Sequence, residues 1–162
     1  MDEAKQKSFF SFKKWPWFFL IIFLVIWAIL RFYDFYWPSA TVRFPAGQEI
    51  KVLLADRPSH WQRGLSGRSD LGEYGGMLFI FGEKSRHTMV MREMKFPLDI
   101  VWLDSGMVVD IAPGLQPEPG KSEAGLTRYA PRLPATAVLE LPAGSVARYG
   151  LKIGDRVEFL DK

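Results

Sequence analysis

The sequence of 162 residues contains no cysteine and only two histidines. The first absence excludes disulfide bonds, thiolate nucleophiles and cysteine zinc sites, and the second excludes a histidine-rich metal site. Glycine-rich phosphate loops are missing too, and Gly64-Leu65-Ser66-Gly67 lacks the spacing of a serine nucleophile elbow. No complete set of catalytic residues can therefore be recognised in the chain.

A large excess of one charge is also missing. The formal net charge is +3, and basic and acidic residues are mixed along residues 41–162. Nucleic-acid-binding domains carry a basic patch or stripe, which this pattern does not provide. We therefore expect no nucleic-acid partner.

Most of the aromatic residues lie in the first 40 positions, around an uncharged run over residues 15–30. As a helix this run would be about 24 Å long, a little short of a hydrocarbon core of roughly 30 Å. Lys13, Lys14 and Arg31 can reach the headgroups from its ends, and aromatic residues on both flanks suit the two interfaces. The sequence therefore predicts an uncleaved transmembrane signal anchor over residues 15–36.

Two alternatives to a permanent anchor are a cleaved export signal and the buried helix of a soluble domain. The candidate cleavage site, Pro38-Ser39-Ala40, has proline at the first of its small positions. A soluble helix would need a polar side, whereas apolar residues occupy every face of this one. Both alternatives are less favoured than the anchor.

Positive residues set the expected orientation. They are denser before the apolar run than after it, with Lys5, Lys7, Lys13 and Lys14 on one side and Arg31 and Arg43 on the other. The positive-inside rule then places the N-terminus in the cytoplasm. We expect a single-pass protein of the cytoplasmic membrane, with a cytoplasmic tail (1–14), the anchor (15–36), a linker with the first strand (37–45) and a periplasmic or extracellular domain (46–162).

The domain shows short apolar runs of strand length, separated by glycine, proline and polar turns. Predicted strands cover residues 41–44, 49–55, 77–81, 87–94, 98–103, 107–111, 137–141 and 156–160. Short helices are expected near residues 59–65, with Ser59 as a cap, and 143–149, closed by Gly150. The pattern predicts a mainly β (β-rich α+β) fold, a small antiparallel barrel or sandwich, in which Pro113–Pro134 forms a surface loop or a functional flap.

Five ordered motifs in this domain resemble the family called domain of unknown function 192. They are Gly64-Leu65 with Arg68 and Leu71; Gly76-Met77-Leu78-Phe79 with Phe81; Met91 with Pro97-Leu98-Asp99-Ile100; Val138-Leu139-Glu140-Leu141 with Ala143-Gly144; and Gly150-Leu151 with Gly154-Asp155. The resemblance implies a compact, β-rich, exported or anchored domain with no established reaction. Where the family has an aromatic-Trp-Met-Lys-Asn block, this chain has Met89-Val90-Met91-Arg92-Glu93, so roles of that tryptophan and asparagine do not carry over.

His87, Met89 and Met91 alternate within one predicted strand and would project from the same face. Imidazole and thioether groups are ligands for Cu(I), so a copper site is one interpretation. The favoured interpretation is that the methionines fill the core. We therefore expect no cofactor, with Cu(I) as the alternative.

Asp99 and two arginines are the other candidate site residues. Asp99 precedes a buried strand, where a carboxylate can act as a general base or can accept backbone N–H bonds. Arg63 and Arg68 can bind a carboxylate or phosphate through the planar guanidinium, although Arg68 can equally pair with Asp70, Glu73 or Glu140. Structural roles are favoured for Asp99 and Arg68.

The sequence thus favours a non-catalytic binding or assembly module of the cell envelope, with an envelope protein or polymer as partner. One alternative is a small envelope hydrolase that uses Asp99 as the base and Arg68 as the anion clamp. A second alternative is Cu(I) binding through His87, Met89 and Met91.

Overall fold

The chain divides into two compact units, residues 1–36 and 37–162. The computed structural model describes residues 15–160, apart from the side chains of residues 16 and 33–35. The predicted cytoplasmic tail, 1–14, lies outside the described residues.

Helix α1 (Trp15–Phe35) is the described part of the first unit. Its described side chains, including Trp17, Phe23 and Leu30, are exposed. Within residues 15–160, no helix combines the length and the apolar character that crossing a membrane requires. The transmembrane anchor over residues 15–36 therefore stays a prediction.

The second unit is a single curled sheet with short helices, which confirms the mainly β prediction. Its strands are β1 (Ser39–Arg43), β2 (Glu49–Ala55), β3 (Met77–Ser85), β4 (Leu98–Asp104), β5 (Met107–Leu115), β6 (Ala135–Pro142) and β7 (Glu158–Phe159). They lie in the order β5-β4-β6-β3-β2-β1-β7. The short helices are α2 (Pro58–Arg63), a 3-10 turn (Glu123–Gly125) and α3 (Ser145–Tyr149).

One strand pair departs from the antiparallel prediction. β2 and β3 are parallel, with Leu53 opposite Met77 and Ala55 opposite Phe79. A parallel pair needs a long crossover. The segment between these strands, which contains α2, provides it and lies on one face of the sheet.

The predicted strand over residues 87–94 was wrong. This segment, which we call the 87–94 segment, contributes one isolated bridge, Met89 to Tyr129. Glu93 has a positive φ of 49°, a conformation that interrupts an extended strand. The backbone therefore bonds to a loop at Met89 and turns away near Glu93.

Helix α2 begins differently from the prediction, whereas α3 ends as predicted. Arg57, and not Ser59, is the N-cap of α2, and Pro58 occupies its first turn, where a missing N–H costs little. Gly150 closes α3 at φ 66°, in the left-handed region that favours glycine.

Both faces of the sheet are packed. One core contains Val42, Val52, Leu78, Leu139 and Leu141. The other, on the opposite face, forms where crossing segments cover Met77, Phe79, Ile100, Trp102 and Val138. Side chains alternate along β6, so Leu139 and Leu141 face the first core while Val138 and Glu140 face the second.

Gly76 lets β3 approach β6. A Cβ atom at this position would collide with the carbonyl oxygen of Glu140 and lie 2.9 Å from Leu141 Cδ2. Its own carbonyl accepts a hydrogen bond from Leu53 N at 3.0 Å. The glycine therefore brings Glu140 close to the start of β3.

Candidate functional site

A cleft of about 340 Å³ opens above the second core, between α2 and the 87–94 segment. Its lining combines aromatic rings with guanidinium groups and one carboxyl. The described lining residues include Trp61, Arg63, Phe79, Phe81, His87, Arg92 and Glu140. We call this the Glu140 cleft.

Glu140 lies at the floor of the cleft and is only 4% exposed. It is held in the middle of the sheet, opposite Met77 of β3 and Ile100 of β4. Burial in these apolar surroundings disfavours the charged form and raises the pKa of Glu140 to about 8. The group is therefore a neutral carboxylic acid at pH 7, able to donate a hydrogen bond as well as to accept one.

No hydrogen bond or ion pair joins the Glu140 carboxyl to another side chain or backbone group within residues 15–160. Buried polar groups in proteins are nearly always paired, and for this carboxyl the remaining partners are water or a ligand in the cleft. The carboxyl borders an open cleft, where a bound molecule can supply the missing partner. This combination makes Glu140 the strongest candidate site residue.

Stacked rings form one side of the cleft. Phe81 and His87 stack with ring centroids 3.7 Å apart, and Trp61 lies 5.3 Å from Phe81 at a tilted angle. Hydrogen bonds from Trp61 Nε1 to Ala55 O at 3.0 Å and between His87 Nε2 and Glu83 O at 3.0 Å fix the rings. These rings are therefore held in fixed orientations on one side of the cleft.

Arg92 ties the two sides of the cleft together. Its Nη1 donates to Gln62 O at 2.6 Å, and its guanidinium meets the Glu123 carboxylate at 2.5 and 2.6 Å. Hydrogen bonding to that carboxylate raises the pKa of Arg92. Ser66 Oγ also donates to Arg92 O at 2.9 Å. The charge of Arg92 is thus matched by Glu123.

The long loop predicted over Pro113–Pro134 supports this wall from behind. Met89 and Tyr129 exchange two backbone hydrogen bonds of 2.9 Å, and Arg86 Nε donates to Pro131 O at 2.7 Å. Arg132 Nη2 lies 2.7 Å from Asp110, and this pairing lowers the pKa of Asp110. The loop is therefore fastened both to the 87–94 segment and to the sheet.

The three polar residues predicted as ligand contacts do not converge. Arg63 lines the Glu140 cleft, whereas the Arg68 guanidinium lies over the ring of Trp37 at 5.5 Å. Asp99 is 1% exposed and accepts hydrogen bonds of 2.8 Å from Gly114 N and Val146 N. Since Asp99 points to the opposite face of the sheet from Glu140, only Arg63 shares the cleft with it.

The three predicted copper ligands also occupy different environments. His87 is stacked in the cleft wall, Met89 lines the same cleft and packs against the second core, and Met91 is fully buried in that core, so the three differ mainly in burial. The strand that would have aligned them is absent. The Cu(I) interpretation stays a prediction.

The sequence did not predict Glu140 as a site residue. Glu140 was named only within a family motif and as a partner that Arg68 could pair with. The available signal was its position in Ala137-Val138-Leu139-Glu140-Leu141, an acid in the middle of an otherwise apolar strand. A lone carboxyl in a buried strand either has a partner or changes its pKa.

Comparison with known proteins agrees with this fold. The model of the family DUF192, described as an uncharacterized ACR, matches residues 41–159. A proposed transcription regulator from Sinorhizobium meliloti 1021 is 34% identical, with a TM-score of 0.67 over 76% of this chain and 95% of that one. A protein of unknown function from Novosphingobium aromaticivorans DSM 12444 is 31% identical, with a TM-score of 0.62 over 75% of this chain and 84% of that one. None of the curated proteins matches the chain.

Proposed function

This chain belongs to the DUF192 family, and from the cleft that its fold builds we propose that it is a non-catalytic binding module of the cell envelope, held at the membrane by α1. The observation that carries the proposal is the buried, unpaired Glu140 carboxyl at the floor of an open cleft. A pocket with apolar walls, a few polar groups and a perturbed acid is the usual form of a ligand site.

The other residues that line the cleft favour a binding role over catalysis. Glu140 is the only carboxyl residue among the described residues that line the cleft. Glycoside hydrolysis generally needs a pair of carboxylates, and acyl transfer needs a nucleophile beside a base. One neutral acid with fixed aromatic walls suits recognition of a ligand.

The hydrolase alternative with Asp99 and Arg68 receives less weight. Both oxygens of Asp99 already accept backbone N–H groups, and Arg68 lies over Trp37. An acid held in this way contributes to the fold.

The membrane location rests on the exposed apolar surface of α1. Large side chains such as Phe19, Ile22 and Trp27 are exposed along this helix, and water would disfavour such a surface. Together with the lysines before residue 15, this surface supports a cytoplasmic N-terminus and an extracytoplasmic domain. We propose an envelope protein or polymer near the membrane as the partner.

The membrane part is tested with the full chain in its native cells. Alkaline carbonate washing of isolated membranes should leave the protein in the pellet, and protease added outside the cytoplasmic membrane should digest the domain. Release by carbonate, or protection from external protease, would refute this location.

The binding part is tested by site-specific photocrosslinking in intact membranes. A photoreactive residue at Gln62, on the rim of the cleft, should capture an envelope component. The matched control at Ile153, exposed but outside the cleft lining, should not. Equal capture at both positions, or recovery of this chain alone, would contradict the proposed binding function.

A further inference from the structure

We infer that the Glu140 cleft recognises an apolar monocarboxylate group of the envelope partner. The oxygens of this group accept hydrogen bonds from the Glu140 carboxylic acid at the floor and the Arg63 guanidinium at the wall. This inference rests on the proposed binding function and specifies its ligand class. Both groups line the same cleft of about 340 Å³.

The charge of the cleft favours a ligand with a single negative charge. The charged or titratable groups that share it with Glu140 are Arg63 of α2 and His87 and Arg92 of the 87–94 segment. The strands beside Glu140 contribute Met77 and Ile100, which are apolar. Arg92 is paired with Glu123. Among the described lining residues, Arg63 is therefore the permanently charged side chain that can pair with a ligand. One such charge matches a monoanion.

The floor of the cleft offers a hydrogen-bond donor to a ligand. A neutral carboxylic acid donates one proton, and a carboxylate is the acceptor that forms the shortest and strongest bonds of this type. A cationic ligand would instead require Glu140 to ionise in apolar surroundings. It would also have to sit near the positive Arg63.

Aromatic rings on the wall of the cleft favour a ligand with an apolar body. Trp61, Phe79 and Phe81 present rings along the same cleft, and they suit an alkyl or aryl body behind the carboxylate. A phosphate group carries more charge and usually needs several N–H donors or cations. The cleft therefore fits an apolar acid better than a phosphate.

The class is tested with three probes of similar shape and different charge: phenylacetate, phenylacetamide and phenethylammonium. Calorimetry on the full chain in detergent at about pH 6.5 keeps Glu140 neutral, since its pKa is about 8. We expect phenylacetate to bind with a dissociation constant of roughly 1 mM or tighter, and the other two at least about tenfold more weakly. Tighter binding of phenethylammonium, or no binding of phenylacetate at about 10 mM, would overturn the inference.

Glu140→Gln provides a matched variant, because the amide has the same shape and donates at every pH. Wild-type affinity for phenylacetate should fall about tenfold for each pH unit above the pKa of Glu140, whereas the variant should show no such fall. Identical pH profiles for the two proteins would count against the assignment of Glu140.

Arg63→Gln should weaken phenylacetate binding by about tenfold, and Arg148→Gln, an exposed arginine on α3 outside the cleft lining, should not. Equal effects of the two substitutions would remove Arg63 from the site.

If the amide or the ammonium probe binds and blocks capture at Gln62, the ligand class is wrong but the binding function stands. If Gln62 captures nothing specific, the binding function itself fails whatever the probes do.

Discussion

Arg92 and Glu123 form a two-point ion pair that joins chain segments 31 residues apart, with Nε to Oε2 at 2.6 Å and Nη2 to Oε1 at 2.5 Å. Arg92 belongs to the wall of the Glu140 cleft, and Glu123 belongs to the loop behind it. The pair therefore fixes the position of the wall relative to the loop.

Glu123→Gln should loosen this wall. The amide cannot provide the two carboxylate oxygens that the guanidinium meets, so protection of the Met89 and Tyr129 amides from hydrogen exchange should fall several-fold. Glu83→Gln, which removes an exposed carboxylate that makes no side-chain hydrogen bond within residues 15–160, serves as the control. Unchanged exchange at both amides would show that the backbone bridge holds the wall without the ion pair.

The stability of the protein should fall as the pH rises from about 4.5 towards 8. Over this range the unfolded chain loses the Glu140 proton, because its ordinary pKa is 4.5, while the folded chain keeps it up to a pKa of about 8. Folding then takes up a proton, and each pH unit lowers the free energy of unfolding by about 1.4 kcal/mol. Chemical denaturation across this range measures the slope.

Glu140→Gln should remove that slope. Near pH 4.5 the variant and the wild type should have similar free energies of unfolding. At pH 7 the free energy of unfolding of the variant should be higher by about 3 kcal/mol, reduced by the cost of burying the amide. A stability difference that is the same at both pH values would show that folding does not raise the pKa of Glu140.

Gly76→Ala should destabilise the domain strongly, by about 2 to 4 kcal/mol, because the new Cβ meets the Glu140 carbonyl oxygen in a packed sheet. Gly82→Ala is the matched control, since a Cβ at that position has no neighbour within 4 Å and the backbone needs no positive φ. Thermal melts of the two variants should differ clearly. Equal melting temperatures would mean that β3 can move away from β6 without cost.

Asp99→Asn should lower the free energy of unfolding by about 1 to 3 kcal/mol. Asparagine keeps one acceptor oxygen, so either Gly114 N or Val146 N loses its partner in a buried position. Asp104→Asn, on the same strand but in an ion pair with the half-exposed Lys84, should change stability much less. If Asp99→Asn melts like the wild type yet abolishes a cellular phenotype, the catalytic alternative for Asp99 regains support.

Much of the fold could be predicted from local pattern. The period-two alternation over residues 49–55 marked β2 with its observed bounds, and the continuous apolar run from Met77 marked the start of β3. The 87–94 segment was wrongly predicted as a strand because its apolar residues have strand spacing, whereas its backbone makes one isolated bridge and turns at Glu93. The parallel pairing of β2 with β3 depends on the path of the crossover, which local pattern does not encode.

Less of the candidate site could be predicted. The cleft draws its residues from α2, β3, the 87–94 segment and β6, which are distant in the sequence. Arg63 was proposed as an anion contact from its chemistry, and the structure places it in the cleft. The importance of Glu140 depends on how deeply the sheet and its covering segments bury it, and a single sequence does not reveal this depth.

The sheet also covers part of its own free edges. The β4–β5 turn meets the segment before β7 through hydrogen bonds from Val108 N to Asp155 O, Gly154 N to Val108 O and Val157 N to Gly106 O, each 2.8 to 2.9 Å long. A Cβ on Gly106 would lie 2.7 Å from Val157 O, so the approach depends on glycine. An open strand edge is a template for pairing with another chain, and proteins commonly cover such edges with another segment. These contacts protect the domain against edge-to-edge aggregation. A substitution that breaks them should therefore lower the solubility of the protein even where its function is unchanged.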